Sequence, residues 1–191
     1  MTLSLPIAAE ANDLLRRDPL ALLIGMVLDQ QVSMEKAFAG PYELARRLGH
    51  DPDAAELAAF DPDALTALFA ERPALHRFPK AMAARVQEVC RALVERYDGD
   101  PSRLWSEAEN GRELLRRITA LPGFGRQKGQ IFLALLGKRF GVQPPGWREA
   151  AGDYGRDGVH HSVADVVDET SLAKVREHKQ QMKAAARVAA G

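Results

Sequence analysis

Apolar residues recur at three- and four-residue steps through nearly the whole chain, the period of one face of an α-helix and not the alternation of a half-buried strand. The clearest stretch is AMAARVQEVCRALVERY, residues 81–97. Met82, Val86, Val89, Cys90, Leu93, Val94 and Tyr97 fall on one stripe there, which predicts a long amphipathic helix stopped by Gly99. PLALLIGMVLDQQ, residues 19–31, is apolar enough for a central buried helix, and Pro19 behind Asp18 is a favourable start. SMEKAFAGPYELARRLG predicts two short helices broken at Gly40-Pro41. Asp51-Pro52 and Asp61-Pro62 each open a further short helix, over 54–60 and 63–70. GRELLRRITA and RQKGQIFLALLGKRF predict two helices joined by a tight bend, and GVQPPGWREAAGDYGRDG, residues 141–158, reads as a long ordered loop. A short helix starting near Ser162 and a final one from about Ser171 to Ala189 complete the chain. The fold class is all-α, with no strand pattern and no repeat at a solenoid period.

At 191 residues and 46% hydrophobic, the chain can bury a core in one domain or in two small lobes sharing an interface. No apolar run approaches the roughly eighteen residues of a membrane span, and MTLSLPIAAEAND lacks a basic region followed by a long apolar stretch. The expected address is the cytoplasm, in a bacterial-type cell at the nucleoid. The one cysteine, Cys90, excludes an internal disulfide framework and any site built from several thiolates; within its apolar stripe it reads as a buried structural thiol.

A net charge of zero argues against a polyanionic partner until its distribution is considered. Residues 51–71 hold six acids and no Lys or Arg, whereas residues 111–148 hold eight basic residues against the single acid Glu113. A chain polarised in this way can turn a cationic face to a polyanion while its other end stays acidic.

The bend LPGFGRQKG, residues 121–129, lies in the basic half. Gly123 and Gly125 let the backbone turn sharply and let another group approach its amides. The helix that follows exposes unpaired N–H groups and the positive end of its dipole, with Arg126 and Lys128 adding charge, so the bend suits a backbone phosphate. Gly129, one turn on, permits close packing of the two helices.

These residues resemble a known family. LPGFGRQKGQIFLALLG is similar to the helix-hairpin-helix of the DNA glycosylase superfamily that includes endonuclease III, the mismatch adenine glycosylase and the 3-methyladenine glycosylases, in which LPG-hydrophobic-G is the signature. LLIGMVLDQQVSMEKA, about ninety residues earlier, resembles the long helix and following turn of the same enzymes, and its QQVS is closest to the alkylpurine branch. The resemblance spans roughly Leu20 to Val167. It implies one bilobal all-helical domain over 1–191: a first lobe of about 20–110, a second lobe of the N-terminal helix plus 111–191, and the hairpin at the mouth of an active-site cleft between them. It also implies a monomer without cofactor or metal that acts on double-stranded DNA containing a damaged or modified base, rotating the nucleotide out of the stack to cut its bond to the sugar. In that reading Gly123, Phe124, Gly125, Arg126, Gln127 and Lys128 contact DNA, and Gln30 or Gln31 fills the gap the base leaves. Either glutamine equally suits a polar residue capping the end of the preceding helix.

Two departures from the family pattern bear on chemistry. Members that also nick the strand carry a lysine directly after the GR of the hairpin; here that residue is Gln127, and an amide is no amine nucleophile. Lys128 is turned about 100 degrees further around the helix and is expected to face phosphate. A monofunctional, hydrolytic glycosylase follows. Members also place an aspartate shortly after the hairpin helix, and matching Val159, Val163 and Val166 of VHHSVADV to their pattern puts His160 there. An imidazole can move a proton but supplies no fixed negative charge. Asp153, Asp157 and Asp165 are the candidate carboxylates, although Asp153 and Asp157 also suit turns and Ser162 with Asp165 has the spacing of a helix-capping pair. His160, His161 and an aspartate would make a poor metal site, since adjacent ligands rarely converge. The final helix, TSLAKVREHKQQMKAAARVAAG, lacks the four cysteines of cluster-bearing relatives and should pack through Leu172, Val175 and Met182. The base remains open between an alkylated purine and an oxidised or 5-substituted pyrimidine such as 5-hydroxymethyluracil. A lesion- or structure-recognising DNA-binding protein with the same fold and no catalysis is the other reading.

Overall fold

Asp18 accepts the Leu20 amide at 2.8 Å ahead of Pro19 and so starts the central helix α2, Pro19–Leu28. From Leu20 to Leu28 every residue of α2 is buried. The computed structural model describes residues 3–189, and each regular element among them is helical. Helix α1, Ala9–Arg17, precedes α2 and packs on it and on α3, Met34–Leu48. This N-terminal helix, expected to join the second lobe, makes its main contacts with α2 and α3.

Helix α3 runs unbroken through Gly40-Pro41, where two helices were expected. The proline ring removes the bond to the Ala37 carbonyl, a loss of about 3 kcal/mol in an open helix, but this stretch is clamped against α2. A Cβ on Gly40 would sit 2.6 Å from Leu28, and one on Gly25 2.8 Å from the fully buried Phe38. Close packing holds the helix across the missing bond.

The acidic stretch is mostly capping chemistry. Asp53 accepts the Glu56 amide and Asp61 the Ala64 amide, each at 2.8 Å, to start α4, Ala54–Ala59, and α5, Pro62–Ala70. Asp51, expected to open α4, pairs instead with Arg17. Both short helices lie on α6, Pro79–Tyr97, which ends with Asp98 and Gly99 in the left-handed region and also touches α2. Cys90 is fully buried in α6, and burial pushes its thiol up to about 12.

After α7, Arg103–Ser106, the second group of helices begins with α8, Gly111–Thr119, and α9, Arg126–Arg139. The presumed loop 141–158 contains α10, Trp147–Ala151, and a 3-10 turn, Gly152–Gly155. Trp147 anchors α10: its ring lies over Gly137, where a Cβ would come within 2.3 Å, and its backbone lies against Gly111. A Gly- and Pro-rich spelling here reflects close approaches and not an open loop. A second 3-10 turn, Val163–Asp165, leads to α11, Glu169–Ala189. Leu172 and Val175 bury α11 as expected, but Met182 is 58% exposed. Arg176 ties α11 to Glu35 in the first turn of α3.

Candidate nucleic-acid interface

The bend between α8 and α9 is built by hydrogen bonds and small residues. The Leu121 amide donates to Ile118 O at 3.0 Å and the Phe124 amide to Leu121 O at 3.1 Å. Gly123 has φ +79°, which side-chain-bearing residues rarely adopt, and a Cβ there would meet the Arg85 side chain at 2.8 Å. Gly129 lets α9 close on α8, its missing Cβ being 2.6 Å from Thr119. Phe124, expected among the DNA contacts, has a buried side chain packed 6.1 Å from the Phe132 ring. It anchors the bend from inside. Gly125 begins α9 without a side-chain cap, and around it a Cβ would meet open space. Nothing therefore covers the first-turn amides of α9 from the position of its cap, and Gly125, Arg126 and Gln127 are exposed.

The end of α2, the turn after it, the first turn of α9, Arg77 and α11 enclose a cavity of about 750 Å³. Its charged lining is Arg77, Lys128, Lys179 and Lys183 against one carboxylate, Asp29. The two glutamines of the turn are separated in role. Gln30 Nε2 donates to Val27 O at 3.2 Å and lies 3.3 Å from Met82 Sδ, while its carbonyl is 2.8 Å from His76 Nε2. The Phe78 amide donates to His76 Nδ1, which leaves Nε2 to carry the proton and donate to Gln30. Gln30 is thus part of the turn's own framework. Gln31, at φ +56°, is exposed, and its side chain makes no hydrogen bond among the described residues.

Lys128 does not face outward as expected. Its Nζ donates to Met26 O at 2.8 Å and Val27 O at 3.3 Å, satisfying carbonyls at the end of α2 that no further turn would reach. Burial lowers its pKa; Asp29 opposes this and Arg85 reinforces it. Gln127 Nε2 donates to the Tyr154 hydroxyl at 2.8 Å. Tyr154 meets His161 edge-on, and His161 stacks on His178 of α11 at 4.2 Å.

The carboxylates and histidine singled out after the hairpin lie elsewhere. His160, Asp157 and Asp165 line a separate cavity of about 510 Å³ formed within the second group of helices, sharing no lining residue with the first. Buried Asp165 accepts the His161 amide at 2.8 Å, the Ser162 amide at 3.2 Å and Lys138 Nζ at 2.6 Å, completing the capping box that its spacing suggested. Asp157 is exposed and pairs with Arg148 at 2.9 Å; Asp153 is exposed and 3.7 Å from Arg156. His160 is half-buried, and its Nδ1 has no partner among the described residues.

Asp29 was missed by the sequence reading, although an acid directly after a long apolar run and before two glutamines is a visible signal. It is half-buried at the end of α2. Burial raises its pKa, with Lys179 and then Lys128 pulling the other way.

No curated protein and no solved structure matches the chain significantly. The family model described as HhH-GPD superfamily base excision DNA repair protein matches residues 24–189, taking in the α2 turn, the hairpin and α11. With that match over most of its length, and with the first turn of α9 and the α2 turn lining one cationic cleft, the chain belongs to the HhH-GPD superfamily of base excision DNA repair proteins.

Proposed function

We propose that this protein is a monofunctional DNA glycosylase, which hydrolyses the bond between a damaged or modified base and its sugar after the nucleotide is rotated out of duplex DNA. The observation that carries this reading is the cleft lined by Gln127 of the first turn of α9, the free side chain of Gln31 and four cations, with the uncapped start of α9 directly before Gln127 in the chain. A phosphate accepts first-turn amides of α9 beside Arg126. Rotation of the nucleotide costs about a few kcal/mol of stacking and pairing, and Gln31 offsets part of it by entering the vacated space, where its amide can bond the orphaned partner base.

Water is the nucleophile in this scheme. Gln127 holds an amide at the hairpin position where strand-nicking relatives are expected to carry an amine, and that amide is tied to Tyr154. The Lys128 Nζ donates to two carbonyls of α2, which engages it within the fold. The protein acts as a monomer on double-stranded DNA, and the excised base is an alkylated purine or an oxidised or 5-substituted pyrimidine.

The test is a panel of duplexes, each with one modified base, incubated with the protein and then with hot alkali to break abasic sites. Cleavage confined to one lesion class supports hydrolysis. Retention of DNA with no cleavage across the panel would make the protein a lesion-recognising binder. Borohydride should trap no covalent adduct; an adduct lost in Lys128→Ala would replace water with that lysine.

A further inference from the structure

Asp29 breaks a local rule. It closes α2, at the negative end of the helix dipole, where an anion is unfavourable even with the last carbonyls bonded by Lys128 and Gln30. Among the described residues its carboxylate accepts no hydrogen bond and has no cation within ion-pair distance; Lys179 and Lys128 act on it only from further away. A half-buried acid in such a place lowers stability, and departures of this kind concentrate where a protein does chemistry.

Its position matches a particular atom of the substrate. Asp29 is next to the turn that presents Gln31 and lines the same cavity as Gln127 in the first turn of α9. A nucleotide whose phosphate rests on α9 and whose place in the stack is taken by Gln31 has its sugar between those two points. The carboxylates beyond the hairpin line another cavity or are paired at the surface.

We propose that Asp29 is the carboxylate that acts at the reacting sugar, a role that rests on the glycosylase reading above. The C1′–N bond breaks with its electron pair leaving on the base nitrogen, and C1′ becomes cationic opposite the carboxylate. A water oxygen then bonds to C1′ while its proton passes to Asp29. The group that stabilises the cation also accepts the proton, so the first lobe supplies the charge that the hairpin side of the cleft lacks.

The test needs neither turnover nor knowledge of the lesion. One duplex carries a pyrrolidine ring in place of a single deoxyribose, protonated at neutral pH and mimicking the cation; a second carries the neutral tetrahydrofuran ring. The wild-type protein should bind the cationic duplex at least about tenfold more tightly, an attraction of the size expected for a nearby opposite charge in a partly desolvated site. Asp29→Asn and Asp29→Ala should both bind the two duplexes equally. Preference for the cationic ring that survives in either variant overturns the proposal, as does a wild-type protein that binds both rings equally. A wild-type protein that holds neither duplex sinks the DNA reading of the cleft and this role with it. Melting curves of both variants report that the fold is retained.

Discussion

The Lys128 ammonium lies 2.8 Å from the carbonyl oxygen of Met26, so the hairpin of the second group of helices is pinned to the last turn of the central helix of the first. Its side chain secures the geometry of the cleft from inside. Lys128→Ala removes both bonds to α2 and is expected to destabilise the fold by about 1 kcal/mol or more. The salt dependence of duplex binding should keep its slope, because no phosphate contact is lost. A slope reduced by about one counterion in binding measured from low to moderate salt would instead make Lys128 a phosphate ligand.

The start of α9 gives the opposite pairing of effects. Gly125 has φ −72° and space for a side chain. Gly125→Asp should therefore be tolerated, with a gain of a few tenths of a kcal/mol from capping. The same carboxylate would occupy the amides proposed for phosphate, and duplex affinity should fall by at least about tenfold. Arg126→Ala should weaken all duplexes alike and flatten the salt slope by about one. Unchanged binding in Gly125→Asp would move the DNA contact away from the bend.

The two adjacent glutamines should separate in experiment. Gln30→Ala removes a side chain that caps Val27 and packs on Met82, and should cost about 1 kcal/mol in denaturant melts. Gln31→Ala removes an exposed side chain with no bond to lose, so stability should be unchanged. Base release under single-turnover conditions should nevertheless slow by about tenfold or more, since nothing then fills the vacated stack. Equal effects on stability would mean that both residues are structural.

Local spelling made the helices legible, because their caps and stripes lie within a few residues of each other. Asp61 starts a helix beside Pro62 as its spelling implied, and Gly129 meets Thr119 of the neighbouring helix as its place one turn beyond the bend implied. What sequence could not show depends on partners distant in the chain. The bond that Pro41 removes is tolerated because α2 presses on α3 at Gly25 and Leu28, and the loop spelling of 141–158 conceals a helix held by Trp147 over Gly137. In the cleft, the direction of Lys128 is set by carbonyls about a hundred residues earlier, and the surroundings of Asp29 are set by α9 and α11. Register with Val159 and Val163 singled out His160, yet register cannot tell that its cavity is bounded by Lys138 and Arg148 of the same group of helices.

Asp29→Asn separates cost from use. Burial is the dominant influence on Asp29 and raises its pKa in the folded protein above the ordinary aspartate value. The folded chain therefore holds this proton to higher pH than the unfolded chain does. The stability linked to that proton is intact below the unfolded value of about 3.9; it is lost as pH rises from there through the folded value and does not return above it. Asparagine never ionises and escapes the loss. Asp29→Asn should melt at a higher temperature than the wild type at pH 7, and the difference should close as the pH falls below about 4. Melts followed by circular dichroism across that range check both ends. A variant that melts lower at pH 7 would show the carboxylate to be a structural acceptor. A higher melting temperature, gained together with loss of the preference for a cationic ring, would show an ionised group kept at the expense of stability because the reacting sugar needs its charge.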